Sequence, residues 1–93
     1  MKKILIVDDD TSNLEILKEI LELDGYETLT TTLGLQAIEL AIRHIPDIIL
    51  LDIMLPDMSG IDVCAKIRTN PLLNDCAIIM ITGLGNRDIR LKA

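Results

Sequence analysis

The chain has no Phe and no Trp, and only one Tyr, one His and two Cys in 93 residues. Each shortage excludes something. With Tyr26 as the single aromatic side chain there is no platform for stacking bases. With 9 Lys and Arg against 15 Asp and Glu, a net charge of −6, there is no basic footprint for phosphates either. Nucleic-acid binding is excluded on both counts. A single histidine, His44, rules out a His-based triad or a multi-His metal site built by this chain alone. Cys64 and Cys76 form no CxxC motif and have no second pair, so they read as reduced core thiols. No apolar run reaches the roughly 20 residues of a membrane span. The run Ile4-Leu5-Ile6-Val7 behind Met1-Lys2-Lys3 meets three aspartates at once, too early for a signal-peptide core. These exclusions together lead to the expectation of a cytoplasmic domain.

What the chain does have is aliphatic residues. Hydrophobic residues make up 49% of it, and the mean hydropathy of +0.40 is high for so short a chain. That content argues against disorder and for one small domain, burying roughly 60–65% of its unfolded surface. The hydrophobic pattern alternates between two periods. Ile4-Leu5-Ile6-Val7, Ile48-Ile49-Leu50-Leu51 and Ala77-Ile78-Ile79-Met80-Ile81 are continuous apolar runs, as expected of parallel strands covered on both faces. Residues 26–32 are Thr-rich and weakly alternating, which predicts a more exposed strand. Between the runs, Leu14, Leu17, Ile20 and Leu21 recur at helical spacing, with Gly25 placed to end the helix. Ala37, Ile38, Ala41, Ile42 and Ile45 form a second stripe stopped by Pro46. Ile61, Cys64 and Ile67 form a third, ending before Asn70-Pro71, and Asn86 is placed to cap a fourth helix carrying Ile89 and Leu91. The order β-α-β-α-β-α-β-α with short connections predicts an α/β fold. The same alternation predicts a doubly wound parallel sheet with right-handed crossovers and helices on both faces.

In such a sheet the ligand site lies at the carboxyl ends of the strands. Asp8, Asp9 and Asp10 follow the first strand, Asp52 the third, and Thr82-Gly83 the fourth. The second ends in Thr30, Thr31 and Thr32, hydroxyls without charge. Carboxylates from neighbouring strands converge there, and in a partly desolvated cleft they raise one another's pKa unless a cation joins them. Oxygen ligands without His or Cys favour Mg²⁺ over zinc. A carboxylate beside Mg²⁺ can act as a nucleophile towards a phosphoryl group and form an aspartyl phosphate. A simpler reading competes residue by residue. Asp10 reads as a helix cap worth roughly 1 kcal/mol, and Ser12-x-x-Glu15 fits a capping box. Thr82 alone reads as structural. Asp52 resists the capping explanation, because the next helix begins several residues later.

Taken in order, three strings carry a resemblance. They are Ile4-Leu5-Ile6-Val7-Asp8-Asp9-Asp10, then Pro46-Asp47-Ile48-Ile49-Leu50-Leu51-Asp52-Ile53-Met54-Leu55-Pro56-Asp57-Met58-Ser59-Gly60, then Ile79-Met80-Ile81-Thr82-Gly83. The chain resembles the receiver domain of two-component response regulators from residue 3 to its last residue. That resemblance implies a flavodoxin-like doubly wound sheet of strand order 2-1-3-4. It implies that Asp52 is the phospho-acceptor, and that Asp9 ligates Mg²⁺ directly with Asp8 contributing largely through water. Asp52 and the backbone carbonyl of Met54 complete the implied metal site. Thr82 is implied to hydrogen-bond the phosphoryl group and to switch position with it, while Gly83 keeps access open and Pro56 and Gly60 shape the loop. The implied partner is a histidine kinase or phosphotransfer protein, which supplies the reactive histidine. His44 has no part in this and is expected near the end of the second helix, where a cation is favoured. The family's fifth strand and fifth helix, with a lysine and a switch aromatic, are missing from residues 1–93. The expectation is therefore a receiver domain incomplete at its C-terminus. Lys92 falls in the fourth helix and does not replace that lysine.

Two other readings stay open. Asp8-x-Asp10 after the first strand resembles the start of the haloacid dehalogenase phosphatases, with Asp8 as nucleophile, but leaves Asp52 idle. Alternatively the chain is a non-signalling fragment or a self-association module. The fourth strand is then an apolar edge, which predicts a homodimer or a domain swap through it. On the receiver reading the chain is no enzyme beyond promoting its own phosphorylation and dephosphorylation, and it touches neither nucleic acid nor membrane.

Overall fold

The computed structural model describes residues 2–81, and its elements follow in the expected order. Strand β1 (Lys3–Val7) leads to helix α1 (Thr11–Leu23), β2 (Glu27–Thr31), α2 (Gly34–His44) and β3 (Ile48–Asp52). Helix α3 (Gly60–Arg68), a 3₁₀ turn (Pro71–Leu73) and β4 (Ala77–Ile81) complete it. The expected fourth helix, with Asn86, Ile89, Leu91 and Lys92, lies outside the described residues.

The strands form one parallel sheet of order β2-β1-β3-β4, as the family resemblance implied. Val7 of β1 lies opposite Thr31 on one side and Leu51 on the other, so β1 and β3 are central. Their continuous apolar runs are covered on both faces. Leu5, Val7, Ile49 and Leu51 pack with Ala37 and Ala41 of α2 and with Val63 and Ile67 of α3. Ile4 and Ile6 point the other way and pack with Leu14 of α1. Each fully buried Leu, Ile or Val contributes roughly 1.5–3 kcal/mol. Among the described residues β4 pairs with β3 alone, and Ile79, opposite Leu50, is 51% exposed. No described helix is long and apolar enough to cross a membrane.

The helix ends show how local sequence sets the loops. Asp10 is the N-cap of α1, its Oδ1 accepting the Ser12 N–H at 2.8 Å. The Ser12–Glu15 capping box is therefore corrected: Ser12 already lies inside the helix, and the cap position belongs to Asp10. At the other end Gly25 takes φ +93°, its N–H donating to Glu22 O at 3.0 Å while Tyr26 N–H donates to Leu21 O at 3.1 Å. This is a Schellman ending, which needs a residue free of the Cβ penalty. His44 is the last residue of α2, as expected. The following Ile45 is not part of a helical stripe: it caps α2 in the left-handed region, φ 46°, with its side chain exposed.

Two more stripes are corrected. In α1 the packed line is Leu14, Leu17 and Leu21, at i, i+3 and i+7, while Ile20 falls on the flank and is exposed. In α3 it is Gly60, Val63 and Ile67, with Ile61 exposed and Cys64 only half-buried. Both cysteines are free, and burial pushes the Cys76 thiol up.

Candidate functional site

The chain leaves β1 to build β2 on one side and returns to build β3 on the other. The crevice at this reversal opens between the ends of β1 and β3, where Asp8 and Asp52 emerge. One carboxylate oxygen each from Asp8, Asp9 and Asp52 lie within 4.8 Å of one another. Asp8 is 1% exposed and is held in place. Its backbone N–H donates to Thr31 O at 3.2 Å, and its Oδ1 accepts the Asp10 N–H at 2.9 Å. Asp52 is half-buried, and its Oδ1 accepts the Met54 N–H at 3.2 Å. Asp9 is exposed at the rim.

Burial is the main cause that raises the carboxyl of Asp8. Asp52 is pushed up to about 6, by burial first and then by the negative charges of Asp8 and Asp9. Among the described residues the one ion pair is Lys18–Glu22, on the surface of α1, so no described Lys or Arg neutralises the cluster. Three carboxylates crowded this closely call for an outside cation.

The loop after Asp52 is tightly folded. Gly60 N–H donates to Ile53 O at 2.6 Å, and Met54 pairs with Ser59 across the loop. Ser59 caps α3, its Oγ accepting the Ile61 N–H at 3.1 Å. A Cβ on Gly60 would collide with the carbonyl oxygen of Asp52 and lie 2.8 Å from Ile53 Cα, so only glycine fits. The sequence-predicted residues Asp8, Asp9, Asp52 and Met54 are thus brought to one place. Thr82 and Gly83 lie outside the described residues.

One residue of this region was missed by sequence reasoning. Asp57 accepts the N–H of Gly34 at 2.7 Å and of Leu35 at 3.0 Å, capping α2 from the loop after β3. These two N–H groups hold its carboxyl below the usual carboxylate range. A signal existed: Leu33, just ahead of α2, has no side-chain acceptor, so the cap has to come from elsewhere.

The sheet order and the acidic crevice at its reversal define a class of protein, the receiver domains. The family model of the response regulator receiver domain matches residues 4–93, and the chain belongs to that family. It is 38% identical over 81 residues to the polar-differentiation response regulator DivK of Brucella ovis, covering 87% of this chain and 66% of that protein. The chain therefore spans just under two thirds of the length of that relative. Among solved structures it is similar to the response regulator TrrA of Thermotoga maritima, determined in complex with Mg²⁺-BeF. The TM-score is 0.83 at 38% identity, over 91% of this chain and 72% of that one. It is also similar to the chemotaxis protein CheY4 of Vibrio cholerae, with TM-score 0.85 at 27% identity over 99% and 77% of the two chains. These relatives lend no support to the haloacid dehalogenase reading, and its nucleophile, Asp8, is buried and already hydrogen-bonded.

Proposed function

We propose that residues 1–93 act as one phospho-acceptor module in which Asp52 takes a phosphoryl group from a phosphohistidine. The donor is a histidine kinase or a phosphotransfer protein, a pairing that places the chain in the cytoplasm. The observation that carries this reading is the convergence of Asp8, Asp9 and Asp52 within 4.8 Å, with no cationic side chain paired to them among the described residues. The donor set fits Mg²⁺, since it offers carboxylate oxygens and neither imidazole nor thiolate. Asp8, Asp9, Asp52 and the Met54 backbone carbonyl would hold the ion, which when bound supplies positive charge against the phosphoryl oxygens.

The chain's own residues do the rest. A carboxylate oxygen of Asp52 attacks phosphorus, the P–N bond breaks, and its electron pair leaves on the donor imidazole, which takes up a proton. An acyl phosphate remains on Asp52. Asp8 stays oriented because the Asp10 N–H holds its Oδ1. The Thr82 hydroxyl donates a hydrogen bond to a phosphoryl oxygen and moves with it. The chain is no enzyme towards other substrates; it promotes only its own phosphorylation and dephosphorylation. Among the described residues β4 stands at the edge of the sheet, which favours one addition, self-association of two copies through that strand or by a swap.

Incubation with acetyl phosphate, followed by intact-mass measurement, tests the reading. The wild type gains one phosphoryl group with Mg²⁺ and none with a chelator present. Asp52→Asn gains none, and Asp8→Asn gains it slowly. Labelling that survives in Asp52→Asn and vanishes in Asp8→Asn makes Asp8 the nucleophile instead.

A further inference from the structure

Helix α2 cannot cap itself. Its N-cap residue is Leu33, in extended conformation, and the first-turn N–H groups of Gly34 and Leu35 donate to Asp57 Oδ1 and Oδ2, 23 and 22 residues further along the chain. Asp57 sits at the exposed tip of the loop that starts at the acceptor Asp52. That loop is held at its base by the Gly60–Ile53 hydrogen bond and across its middle by the Met54–Ser59 pair. Both contacts are internal to the loop. The tip contact ties it to another element, and Met58 beside it packs so closely on α2 that a Cβ at Gly34 would strike its side chain.

We propose that Asp57 is a positioning residue for phosphoryl transfer: its two-pronged hold on α2 fixes the loop from Asp52 to Gly60 and with it the Met54 carbonyl. This rests on the reading of Asp52 as acceptor and of Met54 as a metal ligand. Leu55 and Met58 seat the loop on the core, and the tie from Asp57 to the first turn of α2 adds a directional hold at its exposed tip. A ligand carbonyl gains from such support as it does from any outer partner that orients it.

The test uses the full chain, Mg²⁺ as the probe, calorimetric titration and amide hydrogen exchange. Asp57→Ala weakens Mg²⁺ binding about tenfold, the low end of what losing an orienting partner costs. It also speeds exchange at Met54 and Ser59, and slows acetyl phosphate labelling more at low than at saturating Mg²⁺. Asp57→Asn, which keeps one acceptor oxygen, falls between it and the wild type. The deciding variant adds Leu33→Ser to Asp57→Ala, giving α2 a cap of its own without the tether. Thermal stability returns in that double variant while Mg²⁺ affinity stays weak. Recovery of the affinity there, or wild-type affinity in Asp57→Ala, overturns the proposal by reducing Asp57 to a helix cap. A wild-type chain that binds no Mg²⁺ overturns the functional reading and this one together. A wild type that binds Mg²⁺ and is labelled at Asp52, with Asp57→Ala unchanged, overturns the clamp alone.

Discussion

The backbone of Gly60 lies directly against the backbone of Asp52, with no room for even a methyl group between them. The first turn of α3 is thereby pressed onto the end of β3. Gly60→Ala forces backbone against backbone, and we expect a loss of about 2–4 kcal/mol. Gly34→Ala meets the Met58 side chain, which can turn away, and Val63 Cγ2 at 2.8 Å, so a smaller loss of about 1–2 kcal/mol is expected. Chemical denaturation of the two variants side by side checks the ranking.

The acidic cluster destabilises the metal-free fold at neutral pH. Asp52 titrates at about 6 in the fold against an ordinary 3.8, so the folded chain holds this proton more tightly than the unfolded one. Stability is then lost as pH rises through the window from about 4 to 6. Asp52→Asn escapes that loss. It should gain about 1 kcal/mol over the wild type at pH 7 without Mg²⁺, a screened like-charge contact at this spacing. The advantage fades below pH 4. Added Mg²⁺ raises the Tm of the wild type and leaves that of Asp52→Asn nearly unchanged. Melting curves at several pH values with and without Mg²⁺ read both effects.

Ile45 pays for the end of α2 with a β-branched residue at φ 46°, a conformation that costs an L-residue about 1–2 kcal/mol. Its side chain is 42% exposed, so little burial is lost on trimming it. Ile45→Gly should raise stability by about 0.5–1 kcal/mol after the extra chain entropy of glycine is counted. Urea titration with an unchanged slope checks this.

The strands and the acidic crevice were legible in the sequence for one physical reason. A strand covered on both faces must be apolar throughout, so the runs at 4–7 and 48–51 announce themselves and mark the residues at their ends. Helices say less. A stripe of Leu and Ile shows that a face is buried but not its angle to the sheet, which is why Ile20 and Ile61 turned out exposed while Val63 is buried. The left-handed Ile45 ahead of Pro46 has no local signal, since isoleucine disfavours that conformation. Asp57 stayed hidden because its partners lie 22 and 23 residues away and meet it only once the sheet is built.

Strand β4 has one paired side among the described residues and carries the half-exposed Ile79. If two copies meet there, light scattering at high micromolar concentration shows a dimer. Ile79→Lys, which places a charge on an edge strand, returns it to a monomer. A monomeric wild type under the same conditions removes self-association from the reading.

The position of the phosphoryl group is the most direct measurement of all. The chain is labelled with acetyl phosphate and Mg²⁺, the acyl phosphate is reduced to an alcohol with borohydride, and the peptides are mapped by mass. We expect the reduced side chain at residue 52 alone, and none when Mg²⁺ is chelated. Reduction at Asp8 or Asp9, or labelling indifferent to Mg²⁺, contradicts the assignment of Asp52 as a metal-dependent acceptor.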